Sequence, residues 1–128
     1  TPSLMLIVDD NVDHRSLYKL MLEDDPMFAW EFIETETGGE GITCCLSTSF
    51  DAIALDYILP DMNGLEFLEM LRQKAEQLPP VVMITGQGSE TVAREALQRG
   101  ARGYLVKDLL AAEPLHDAFH QAMNVNCP

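Results

Sequence analysis

The sequence predicts an α/β domain, a parallel sheet with helices wound onto both faces. Three observations lead there. Five short apolar runs alternate with five longer segments of helical period. The first run is continuous rather than alternating, as in a strand buried on both sides. The chain, at 128 residues, is near the commonest size of a single domain. Alternation of this kind, with no internal repeat or low-complexity tract, implies right-handed crossovers in a doubly wound sheet.

Leu4 to Val8 forms the first strand. Leu17, Leu20 and Met21 mark the apolar face of the first helix. Trp30 to Thr35 alternates apolar Trp30 and Phe32 with acidic Glu31 and Glu34, the pattern of an edge strand. The second helix, roughly Glu40 to Leu46, has the poorest pattern, and Gly38-Gly39-Glu40-Gly41 before and within it reads as a loop. That segment lacks the Gly-Lys-Ser/Thr ending of a nucleotide loop and does not come directly after the first strand.

Ala52 to Leu55 is the third strand. Asn63 with Glu66 three residues on is a capping-box variant, opening a helix whose stripe is Leu65, Leu68 and Leu71. Val81 to Ile84 is the fourth strand. Ser89 caps the fourth helix, Ala93, Ala96 and Leu97 form its stripe, and Gly100 ends it in a left-handed conformation. Tyr104 to Val106 is the fifth strand. Pro114 suits the first turn of the last helix, where Leu115, Ala118, Phe119, Ala122 and Met123 fall at i, i+3, i+4, i+7 and i+8.

Composition narrows the function. Eight Lys and Arg against 21 Asp and Glu give a formal net charge of −13, which excludes direct phosphate-backbone binding to nucleic acid. Hydrophobic residues at 47% suffice for a core. No apolar run approaches the ~20 residues of a membrane span, and no charged-then-apolar leader opens the chain, so a cytoplasmic home is expected. Cys44, Cys45 and Cys127 form neither a metal set nor a disulfide framework. Thr1 in place of an initiator Met, and an end close behind the last helix, suggest a domain cut from a longer protein.

The strand ends carry the chemistry. The first run ends in Asp9-Asp10, the third in Asp56, the fourth in Thr85-Gly86 and the fifth in Lys107. The carboxyl ends of parallel strands share one edge, where open α/β folds bind ligands. Two carboxylates 4 Å apart repel by about 4 kcal/mol at an effective dielectric of 20, so the acids need a cation. Lys107 supplies one, and Mg²⁺ fits the oxygen donors. A carboxylate nucleophile, a metal to gather oxygens, and Lys and Thr donors are what phosphoryl transfer requires.

These blocks in this order, with Ala54-Leu55-Asp56-Tyr57-Ile58-Leu59-Pro60-Asp61-Met62-Asn63-Gly64 at the centre and Gly103-Tyr104-Leu105-Val106-Lys107 near the end, resemble the receiver domain of two-component response regulators. The resemblance runs from about Leu4 to Met123 within one receiver domain spanning 1–128. It implies a chemotaxis-regulator-like, flavodoxin-like (βα)5 fold with strand order 2-1-3-4-5. It makes Asp56 the acceptor of a phosphoryl group from a histidine kinase or histidine phosphotransfer protein. Asp10 binds Mg²⁺ directly, Asp9 mostly through water, and Ile58 offers its backbone carbonyl. Lys107 bridges the phosphoryl group and a carboxylate, Thr85 donates its hydroxyl, and Tyr104 is the switch aromatic. The readout surface is then the fourth helix, fifth strand and fifth helix, which acts on an attached or separate output domain and can support a homodimer. Catalysis beyond the domain's own phosphoryl group is not expected.

Two departures stand out. Asp108 comes after Lys107 where most receivers have proline; a cis bond before a non-proline residue costs about 2.5–4 kcal/mol, so a trans Lys107–Asp108 peptide is expected. The positions two after Asp56 and two after Thr85 hold Ile58 and Gln87, neither an acid that could activate water, which predicts slow self-hydrolysis. His14, His116 and His120 read as ordinary surface residues, and the methionines as core filler. Two rivals remain. A haloacid-dehalogenase-type aspartate phosphatase needs an acid where Ile58 stands, and a pseudo-receiver docking module usually lacks an acceptor, acid or lysine that this chain has.

Overall fold

The structure, a computed structural model, describes residues 2–86 and 88–124. The expectations for Gln87 and Cys127 lie outside the described residues. Five strands, β1 Ser3–Val8, β2 Trp30–Thr35, β3 Ala52–Asp56, β4 Val81–Thr85 and β5 Gly103–Val106, alternate with five helices. The helices are α1 Val12–Leu22, α2 Gly38–Ser47, α3 Gly64–Lys74, α4 Glu90–Gln98 and α5 Ala112–Ala122. The sheet is parallel, in the order β2-β1-β3-β4-β5. The expected doubly wound α/β fold and its strand order are thus present, with β2 on an edge.

The central strands alternate their side chains between two cores. Leu6, Val8, Ile53, Leu55, Val81 and Met83 face α2, α3 and α4, packing on Ile42, Phe67, Leu68, Leu71 and Ala96. Met5, Ile7, Ala52, Ala54, Val82 and Ile84 face α1 and α5, packing on Tyr18, Leu22, Leu115, Phe119 and Ala122. Since successive strand residues point to opposite faces, both sets must be apolar, which is why these strands read as continuous runs.

The caps fall where the sequence places them. Asn63 and Glu66 close a complete capping box on α3, Ser89 accepts from Val92 N–H at α4, and Gly100 has φ 106°. The Lys107–Asp108 peptide is trans. Three readings need correction. The buried face of α1 is Arg15, Tyr18 and Leu22, whereas Leu17 and Leu20 are 40% and 64% exposed; the helix has turned to aim Arg15 and Tyr18 at polar partners inside. Leu97 of α4 is exposed, leaving Ala96 as the buried residue. Gly38 to Gly41 is no loop: it is the first turn of α2, capped by Thr37. A Cβ at Gly38 would lie 2.5 Å from Met62 Sδ, and one at Gly41 would lie 2.9 Å from Val8 Cγ2. Close packing against the core, not a turn, favours glycine at 41, whereas at 38 a Cβ would have to displace the flexible Met62 side chain.

Candidate functional site

The carboxyl edge of the sheet collects the polar residues. Asp9 comes directly after β1, with its N–H donating to the Thr35 carbonyl. Asn11 then caps α1: its side chain accepts from the N–H groups of Asp13 and His14, and its own N–H donates to Asp9 Oδ1 at 2.9 Å. This turn brings Asp10 to the surface and keeps Asp9 buried. Asp56 is the last residue of β3 and is 7% exposed. One carboxylate oxygen each from Asp9, Asp10 and Asp56 can be chosen so that all lie within 4.8 Å of one another, a span one cation can bridge. Donors of this kind suit hard ions such as Mg²⁺.

Lys107 is the cation already in place. Immediately after β5, in a short 3-10 turn, it puts Nζ 3.2 Å from Asp9 Oδ2 and 3.3 Å from Asp56 Oδ2. Burial pushes the Asp56 carboxyl up from its ordinary pKa, and the nearby charge of Asp9 adds to this; Lys107 and the Ile58 N–H pull partly the other way. The balance remains raised, mainly because burial disfavours the charged carboxylate.

Ile58 stands in the loop after β3 with its side chain 70% exposed. An isolated bridge to Asn63 and a bond from Gly64 N–H to the Tyr57 carbonyl fold this loop back. Asp61 anchors it from below: its two oxygens accept from the N–H groups of Gly38 and Gly39, each at 2.9 Å. Thr85, 2% exposed, ends β4 in register with Val106, beside the strand end that carries Lys107. Tyr104 is half-buried, and its hydroxyl accepts from the Ser89 N–H at 3.2 Å, tying β5 to the start of α4.

The first helix supplies what sequence reasoning missed. Tyr18 donates its hydroxyl to Asp9 Oδ2 at 3.0 Å, and Arg15 donates to the Asp9 carbonyl at 2.6 Å. Burial, with the negative charge of Asp9, raises the Tyr18 phenol far above its usual pKa, so it stays a donor. His14 is not an ordinary surface residue, because its Nδ1 lies 2.8 Å from Lys107 Nζ. His120 is not one either, being 3% exposed and 2.8 Å from Asp25 Oδ1. The signal available for α1 was the Asn11 cap, which starts the helix so close to the acid pair that its first turn must face the carboxylates.

Comparison with known proteins agrees with the fold. The family model for the response regulator receiver domain matches residues 5–120. The transcriptional regulatory protein SrrA of Staphylococcus aureus is 34% identical over 103 residues, 80% of this chain and 41% of that protein. The chain thus spans about two-fifths of the curated relatives it matches. Among solved structures, a CheY-like response regulator receiver domain protein from Methanospirillum hungatei superposes with a TM-score of 0.83 at 27% identity, covering 97% of this chain and 95% of that one. The chemotaxis response regulator CheY4 of Vibrio cholerae superposes with a TM-score of 0.82 at 28% identity, covering 95% and 99%. With the strand order, the acid cluster and the matched span in agreement, the chain belongs to the response regulator receiver domains of two-component systems.

Proposed function

We propose that Asp56 accepts a phosphoryl group and that the domain works as a phosphorylation switch. The observation that carries this reading is the Lys107 ammonium shared between Asp9 and Asp56, with Asp10 close enough to complete a cation site. An Asp56 oxygen attacks phosphorus; the P–N bond of a phosphohistidine on a kinase or phosphotransfer protein breaks, and the imidazole leaves with its electron pair and picks up a proton. Asp10, Asp56 and the Ile58 carbonyl are the residues that would hold Mg²⁺, with Asp9 acting mostly through water. Bound there, the ion supplies charge to the phosphoryl oxygens. Lys107 neutralises one oxygen, and the Thr85 hydroxyl donates to another.

Phosphorylation adds a strongly accepting group at the β3 end. Drawing Thr85 and Lys107 toward it disturbs the ends of β4 and β5, and Tyr104 links that disturbance to α4 through Ser89. The readout surface in this reading is α4, β5 and α5, acting on an output domain or a second copy, in the cytoplasm where such kinases present phosphohistidine. The domain handles only its own phosphoryl group.

The test is incubation with acetyl phosphate and Mg²⁺, then intact-mass measurement. The native protein should gain one phosphoryl group, and Asp56→Asn should gain none. Equal labelling of both, or none in the native protein, removes the proposal.

A further inference from the structure

An ammonium group has three N–H donors and no acceptor. Two of those on Lys107 point to Asp9 and Asp56, and the third has a partner on α1: His14 Nδ1, at 2.8 Å. Because the ammonium can only donate, this contact is a hydrogen bond in the tautomer that leaves Nδ1 without a proton. The same Nδ1 stands 3.6 Å from Asp9 Oδ2, and the imidazole is 38% exposed where the other two legs are almost fully buried. Lys107, itself only 14% exposed, therefore stands on a tripod of two charged acceptors and one neutral one.

We propose that His14 is a positioning residue for phosphoryl transfer: it holds the third N–H of Lys107 until a phosphoryl oxygen replaces it. The inference rests on Asp56 being the acceptor. A lysine head on four methylenes is a mobile charge, and a transferring group is served best by a donor already aimed. Of the three legs, the imidazole is the one to yield. It is the most exposed of the three, whereas the buried carboxylates make the stronger ion-to-ion bonds. Handing over that N–H leaves Lys107 bridging the phosphoryl group and the carboxylates. Without His14 the third donor turns to water, and the ammonium settles more closely onto Asp9 and Asp56. An incoming phosphoryl group must then pull it away.

The experiment compares native protein, His14→Ala and His14→Asn, the last keeping a neutral acceptor oxygen near the place of Nδ1. With acetyl phosphate, the step forms the Asp56 O–P bond and releases acetate with the electron pair of the broken bond. The saturating rate should fall about three- to tenfold in His14→Ala, while Mg²⁺ affinity, measured by calorimetry, stays within twofold. His14→Asn should recover most of the rate. In the native protein the ¹⁵N resonance of His14 Nδ1 should be that of an unprotonated acceptor. It should shift when Mg²⁺ and beryllofluoride, a phosphoryl mimic, are added. An unchanged or faster rate in His14→Ala, no recovery in His14→Asn, or a protonated Nδ1 overturns the proposal. If the native protein takes no phosphoryl group, the acceptor reading fails and this role fails with it. If labelling is normal and His14→Ala keeps the native rate, only the role of His14 falls.

Discussion

Asp56 is held where its charge is costly. Burial and the neighbouring Asp9 raise its carboxyl pKa above 3.8, and Lys107 only partly offsets them. For an acid with a raised folded-state pKa, the folded form binds the proton more tightly. Stability therefore falls as pH rises from the unfolded value through the folded one. Asp56→Asn should remove that cost. In metal-free buffer at pH 7 the variant should melt higher by roughly 3–5 °C, an effect of about 1 kcal/mol for a chain of this size. The advantage should shrink as pH is lowered toward 4, where the native carboxyl protonates in both states. Scanning calorimetry across that range in EDTA checks it, and a variant less stable at pH 7 would show that Lys107 compensates the charge fully. A buried carboxylate that destabilises its own fold is poised to gain from a bound cation, as the proposed acceptor role requires.

At the scale of elements, α5 is latched to the turn between α1 and β2. His120 of α5 and Asp25 meet at 2.8 Å with side chains 4% and 0% exposed. Asp25 also accepts from Met27 N–H and Trp30 Nε1–H, each at 2.9 Å. Burial would push the Asp25 carboxyl up, yet these donors together hold it below its ordinary pKa. A depressed acid stabilises above its unfolded pKa and loses that contribution as pH falls through its folded one. Asp25→Asn should therefore cost about 1–3 kcal/mol at pH 7, and the gap should narrow only below about pH 4. Urea titrations at pH 7, 5 and 3 measure it; a gap that narrows already between 7 and 5 contradicts the assignment. This latch was not legible in the sequence, because nothing in the periodicity of α5 pairs His120 with a residue 95 positions away. The strands were legible, since burial on both faces leaves a continuous apolar run. The register of α1 was not, because Arg15 and Tyr18 are read as polar until the carbonyl and carboxylate of Asp9 are seen to take their donors. The strand-end acids, threonine and lysine were legible as a group because a parallel sheet aligns its carboxyl ends. The helix that positions them was legible as a helix from Leu17, Leu20 and Met21, but the face it turns to the acids was not.

For the whole molecule, the net charge of −13 opposes compaction, and the acid cluster concentrates that repulsion at one rim. Two effects of added salt should therefore separate. Sodium chloride screens the general repulsion and should raise the melting temperature gradually. Mg²⁺ should do more than sodium chloride at matched ionic strength, because an ion bound only by the folded state adds RT ln(1 + [L]/Kd), about 1.4 kcal/mol at ten times Kd. The excess should saturate as a binding curve, whereas screening does not. Asp10→Asn removes one exposed carboxylate of the set and leaves the cores untouched. It should abolish most of the Mg²⁺ excess while keeping the sodium chloride response. Thermal melts in the two salts, native against variant, check it. Equal responses to both salts in the native protein would mean that the three carboxylates act only as part of the diffuse surface charge, with no ion held between them.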